Sequence, residues 1–208
     1  SQLEEMLLMS RNHACVVLWG ILNESASDDE ACRPAYAQLL GRLRELDPSR
    51  PVTYASNHPK NDLCFDLADV ISVNCYPGWY WGSLAEIPAA LDELLTELER
   101  KQPNKPIIIS EIGAAGLYGW HDWHHGRWSE DYQAELLEHA LSHLFASGRV
   151  AGVAIWQFCD IRTSDALPII LSRPRGFNNK GLVDEYRRPK AAFSAVRRLY
   201  QKLAAEGR

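Results

Sequence analysis

The chain is 208 residues long and has only 5 cysteines, an odd number. Cys15, Cys32, Cys64, Cys75 and Cys159 include no C-x-x-C spacing. A disulfide framework and a structural zinc site are therefore not expected. This usage favours a reducing, cytoplasmic setting, with a secreted or periplasmic one left open. Basic residues form no block, and the formal net charge is -5. That balance gives no footprint for nucleic acid. No apolar run reaches the length of a membrane span, and no secretory leader is visible. Neither G-x-G-x-x-G nor G-x-x-x-x-G-K-S/T occurs, so the phosphate cradle of the dinucleotide and P-loop folds is missing. No H-E-x-x-H occurs either. His121, His124 and His125 share one Gly/Trp-rich segment without a nearby Cys, which suits a polar wall or exposed loop better than a metal site. No metal or cofactor is expected.

What is present is apolar and aromatic. Hydrophobic residues make up 46% of the chain and charged residues 24%, enough for one domain with a sizeable core. There are 7 Trp and 8 Tyr, several of them between runs of strand character. Such a cluster suits stacking against a ring-shaped ligand, although any one Trp can equally be core.

Two stretches share one grammar. Val16–Asn23 is an apolar run that closes on Glu24, and Pro106–Ser110 is another that closes on Glu111. Their β-branched content favours strands, the first of them buried on both faces. A carboxylate just after such a strand is costly to bury. It is well placed for chemistry if the strand ends at the active rim of a barrel. Two such carboxylates are what hydrolysis of a glycosidic bond requires.

Between them, the pattern alternates helix and strand. Helices are expected over 2–11, 34–46, 87–100, 130–147 and 189–203. Strands are expected over 16–24, 50–56, 70–74, 106–111 and 150–158, with loops at 114–129 and from 159 to 183. Helices between buried strands imply a parallel sheet covered on both faces, either doubly wound or a barrel.

Asn23-Glu24, the run Asn74-Cys75-Tyr76-Pro77-Gly78-Trp79-Tyr80, Ser110-Glu111, Trp156-Gln157-Phe158 and Asn178-Asn179-Lys180-Gly181 occur in that order. Together they resemble the catalytic domain of glycoside hydrolase family 2, most closely its β-glucuronidase members, over nearly the whole chain. The resemblance implies a (β/α)8 TIM barrel. Only barrel strands 4 to 8 and their helices have counterparts here, so residues 1–208 would be the C-terminal portion of that catalytic domain. The remainder of its own polypeptide, carrying β-sandwich domains and barrel strands 1 to 3, would be its partner, and a homo-oligomer is allowed.

The same resemblance implies site residues. Glu24 would be the general acid/base and Glu111 the nucleophile of a retaining double displacement, in which the carboxyls stand roughly 5–5.5 Å apart. Asn23 would bind the sugar 2-OH, the alternative being a helix cap. Tyr76 would donate to the nucleophile, and Tyr80 would sit near a uronate carboxylate, with Asn74 beside them. Trp79 reads as packing. Trp156 would lie under the sugar ring, the alternative being core. Asn178 and Lys180 would grip the C6 carboxylate of a terminal β-glucuronide, since a desolvated carboxylate needs a cation and donors. The alternative there is plain turn chemistry. Arg173 or Arg175 would reinforce that field. Asp160 and Arg162 read as a structural ion pair. β-Galacturonide, a neutral galactoside or mannoside, and a non-catalytic carbohydrate-binding or structural fragment remain as alternatives.

Overall fold

Ser129 accepts a hydrogen bond from the Tyr132 N–H, and Gly148 turns left-handed at φ 65. These two residues bracket the longest helix, Glu130–Ser147, as the sequence predicts. The same logic runs through the computed structural model, which describes residues 2–164 and 172–207. The elements are α1 (Gln2–Ser10), β1 (Trp19–Asn23), α2 (Arg33–Leu46), β2 (Val52–Ser56), β3 (Ile71–Asn74) and α3 (Ile87–Lys101). There follow β4 (Ile107–Ile112), α4 (Glu130–Ser147), β5 (Gly152–Ile155), the short β6 (Ile161–Arg162) and β7 (Phe177–Asn178), and α5 (Ala191–Ala205).

The main sheet runs β1-β2-β3-β4-β5 in chain order. β1 pairs with β2 and β2 with β3, both in parallel. Parallel neighbours need a crossover, and α2 supplies the one between β1 and β2. β6 and β7 form an antiparallel ribbon inside the segment expected to be irregular. Part of that segment, residues 165–171, lies outside the described residues.

The chain divides into two units. One comprises Ser1–Cys75, Glu93–Ser110 and Val150–Gly152; the other comprises Tyr76–Asp92, Glu111–Arg149 and Val153–Arg208. In the first, Leu40 and Leu43 of α2 are buried with Val52, Tyr54, Ile71 and Val73 of the strands. Asp47 ends α2 and accepts from Trp19 Nε1 at 2.9 Å and from Arg50 at 2.6 Å, tying β1 to the Asp-Pro turn. In the second, α4 packs on α5. Leu136, Leu137, Ala140, Leu141 and Leu144 are buried on the α4 side, and Ala192, Ala195 and Val196 on the α5 side. Each such Leu is worth about 1.5–3 kcal/mol of burial.

One expectation is corrected. β1 is not buried on both faces: Val17, just before it, is 70% exposed and Leu22 is 38% exposed. β1 is a sheet edge, with only β2 beside it, and an apolar run cannot signal which of its faces finds a neighbour. A groove of about 960 Å³ beside it is lined by Leu3 and Met6 of α1, Ile21 and Leu22 of β1 and Leu39 of α2.

Candidate active site

In the first unit the site begins with an irregularity. Gly20 pairs with Thr53 but Asn23 pairs with Ala55, so β1 carries one extra residue. Leu22 takes up the excess at φ 60, and Glu24 follows at φ 48. Both conformations are unfavourable for a residue with a Cβ. Such a bulge bends the strand and re-aims the side chains beyond it. The Glu24 N–H still bonds to Ala55 O at 2.9 Å, which fixes the backbone. The side chains of Asn23 and Glu24 then meet Asn74, at the end of β3. The Asn74 amide donates to Asn23 Oδ1 at 3.1 Å and to Glu24 Oε1 at 2.9 Å. Its own Oδ1 accepts from Ser110 Oγ at 2.7 Å. Asn23 is bonded into this cluster rather than capping a helix. Ser110 had no role in the sequence reading; its place immediately before a strand-end Glu is the only signal that could have pointed to it.

In the second unit, Tyr76 donates to Glu111 Oε2 at 2.5 Å. Glu111 is buried, and the loop after Tyr76 turns back on itself through Gly78, whose φ is 78. Trp79 is also buried and packs edge-on to Trp128, as expected of a packing residue. Gly113, two residues after Glu111, has a physical reason: a Cβ there would lie 2.3 Å from Trp156 O. That close approach lets the Trp156 N–H bond to Ile112 O at 2.9 Å and holds the half-buried Trp156 at the end of β5.

The segment after β7 is equally constrained. A Cβ on Gly181 would lie 2.3 Å from Asp160 N, so only glycine fits. Asn178 Oδ1 accepts from the Lys180 N–H at 3.3 Å, a local turn contact. The turn aims the Lys180 side chain inward, where it is buried. Its Nζ donates to Tyr80 OH at 3.0 Å. It also faces the rings of Tyr80, Tyr76 and Trp79 at 4.9, 5.4 and 5.5 Å from their centroids. Burial pulls the ammonium below its ordinary pKa, opposed by the Tyr80 hydrogen bond. The structure thus brings Tyr76, Tyr80, Asn178 and Lys180 into one aromatic-walled cluster with Glu111, whose charge acts on Lys180.

Of the two arginines, Arg175 is engaged elsewhere, on Glu185 at 2.7 Å and over the Phe177 ring. Arg173 is the one whose charge acts on Lys180. Asp160 is also reassigned. It pairs with Lys190 at 2.8 Å, both side chains fully buried, and not with Arg162. His121 and His125 bond to Asp131 and Glu135 of α4 at 3.2 and 2.5 Å. Among the described residues, no three His, Cys, Asp or Glu side chains are grouped so as to hold a metal ion. Nor is any helix among them long and apolar enough to cross a membrane.

Strand–helix alternation with carboxylates and amides at strand ends defines an α/β fold of the TIM-barrel kind. The chain belongs to the family described as "Glycosyl hydrolases family 2, TIM barrel domain", which matches residues 1–205. The β-glucuronidase of Sus scrofa is 38% identical over 213 residues, covering 99% of this chain and 31% of the relative. Among solved structures, a GH2 β-galacturonidase from Eisenbergiella tayi bound to galacturonate is 42% identical, with a TM-score of 0.90 over 96% of this chain and 35% of that one. A β-glucuronidase from an uncultured Clostridium sp. is 33% identical with a TM-score of 0.89, covering 97% of this chain and 35% of that one. The chain spans about a third of the length of the curated relatives it matches.

Proposed function

We propose that this chain, within its complete polypeptide, hydrolyses a terminal β-linked uronide with retention of configuration. Glu24 serves as acid/base and Glu111 as nucleophile. The glycosidic oxygen takes the Glu24 proton and leaves with its bonding electrons while Glu111 forms a bond to the anomeric carbon. Glu24, now ionised, then takes a proton from water as that water displaces Glu111. Tyr76 holds the nucleophile, Asn23 and Asn74 serve the sugar and the acid, and Trp156 underlies the ring.

The observation that carries the uronide reading is the Lys180 ammonium, buried against three aromatic rings and hydrogen-bonded to the Tyr80 hydroxyl. A buried cation in such surroundings suits an incoming carboxylate, which Asn178 and Tyr80 would help to bind. The test is a panel of nitrophenyl β-glucuronide, β-galacturonide, β-galactoside and β-mannoside with wild type and Lys180→Ala. Loss of a charge-assisted contact costs about 2 kcal/mol, roughly 30-fold, on uronides and little on neutral sugars. A wild type that prefers a neutral sugar, or equal losses on all four, would refute the reading. β-Galacturonide is the second reading, favoured by the 42% identity to the galacturonate-bound Eisenbergiella enzyme.

The fold proposal is that β1 to β5 correspond to barrel strands 4 to 8, the C-terminal portion of a catalytic domain. The exposed edge of β1, the apolar groove beside it and the threefold greater length of the relatives support this. Five strands leave edges that eight would close. Residues 1–208 alone are expected to be inactive and associated on gel filtration. A fully active monomer would overturn the assignment.

A further inference from the structure

We infer that Ser110 is a positioning residue for the acid step, acting through the Asn74 amide; the inference rests on the proposed role of Glu24. Asn74 is buried, and its amide must choose between two orientations. In the observed one, the NH2 group faces two oxygens, Asn23 Oδ1 at 3.1 Å and Glu24 Oε1 at 2.9 Å. The Oδ1 atom then faces Ser110, whose hydroxyl donates at 2.7 Å. All three contacts are satisfied only in this orientation with this direction of the Ser110 hydroxyl.

The protonation state of Glu24 decides what Asn74 must offer it. An ionised Glu24 only accepts, so it demands the Asn74 NH2 by itself. A protonated Glu24 can also donate. A reversed Asn74 would then offer Oδ1 as an acceptor for the proton that must reach the glycosidic oxygen. Asn23 opposes that reversal, because its Oδ1 would then face the Asn74 Oδ1, while the Ser110 hydroxyl, which accepts as well as donates, anchors the Asn74 side chain. With the hydroxyl gone, Asn74 Oδ1 is a buried oxygen without its donor, and the side chain that bonds Glu24 loses its anchor. Ser110 therefore holds Asn74, and through it the Glu24 carboxyl, in place for proton transfer.

The test uses the complete polypeptide and two aryl uronides, dinitrophenyl (a good leaving group) and unsubstituted phenyl (a poor one). Ser110→Ala should lower kcat/KM for the phenyl uronide about tenfold and for the dinitrophenyl uronide less than about twofold. The ratio of the two cancels any loss of folded enzyme. Ser110→Thr, which keeps the hydroxyl, should restore the phenyl substrate. On an Asn74→Ala background, Ser110→Ala should change the ratio no further. Equal losses on both substrates, failure of Thr to rescue, or a full effect without Asn74 would each overturn the inference. Glu24→Gln is the control that separates it from the reading beneath. If Glu24→Gln itself spares neither leaving group, the acid assignment fails. If it discriminates and Ser110→Ala does not, only the positioning role fails.

Discussion

Lys180 and Lys190 are both buried lysines, yet they are finished differently. The Lys190 ammonium has a complete shell: Asp160 Oδ1 at 2.8 Å, Gly116 O at 2.6 Å and Asn179 O at 3.0 Å. Three acceptors match its three N–H donors. Lys180 has one hydroxyl and three ring faces. Burial pulls both ammonium groups below their ordinary values; at Lys190 the Asp160 hydrogen bond opposes the shift, at Lys180 only the Tyr80 hydroxyl and weaker charges do. A buried charge with every donor satisfied belongs to the scaffold. On the proposed reading, the donors that Lys180 turns toward aromatic walls serve a substrate carboxylate.

The largest effect expected from this contrast is at Lys190. Lys190→Met leaves Asp160 buried without its cation. Burial already pushes Asp160 above the usual carboxylate range, and its Oδ2 has no hydrogen-bond partner among the described residues. Breaking one side of such a pair costs about 3–5 kcal/mol. Urea denaturation should show that loss, and Lys190→Met combined with Asp160→Leu should recover most of it. A single variant as stable as wild type would erase the distinction between the two lysines.

The sequence made some of this legible and left the rest dark for physical reasons. α4 reads end to end because its cap, its apolar stripe and its left-handed glycine are all local signals. Tyr76, Tyr80 and Lys180 were found through motif resemblance, and the structure gathers them. Lys190 was invisible: a lysine in the first turn of an expected helix normally meets water, and its partner Asp160 lies thirty residues upstream, a distance no periodicity spans. Asp160 was accordingly matched to the nearest cation, Arg162. The β1 bulge was hidden as well, because Leu22 is an ordinary strand residue and carries no sign that it turns to φ 60. The β6–β7 ribbon is two residues wide on each side, below the length at which alternation can be recognised.

The smallest effect, and the one that sharpens the contrast most, is a gain. Lys180→Met keeps the length and apolar bulk of the side chain and removes the ammonium. At neutral pH it should stabilise the protein by about 1 kcal/mol, because the lost partner is a single hydroxyl and some ring contact while the burial cost of the charge disappears. The pH dependence follows from the lowered value of Lys180. Below that lowered pKa, folded and unfolded chains both hold the proton, and the full cost of burying it is present. Between it and the ordinary lysine value near 10.4, the unfolded chain holds a proton the folded chain has released, so wild-type stability rises with pH. The advantage of Lys180→Met should therefore be greatest at neutral pH and shrink as the pH climbs through that window. Paired urea titrations of wild type and variant isolate this group, since other titrating residues are common to both. Added uronate should stabilise wild type and leave Lys180→Met unmoved. A neutral-pH loss as large as that of Lys190→Met would mean that Lys180 is a scaffold lysine too, and that the carboxylate it awaits is already supplied by the fold.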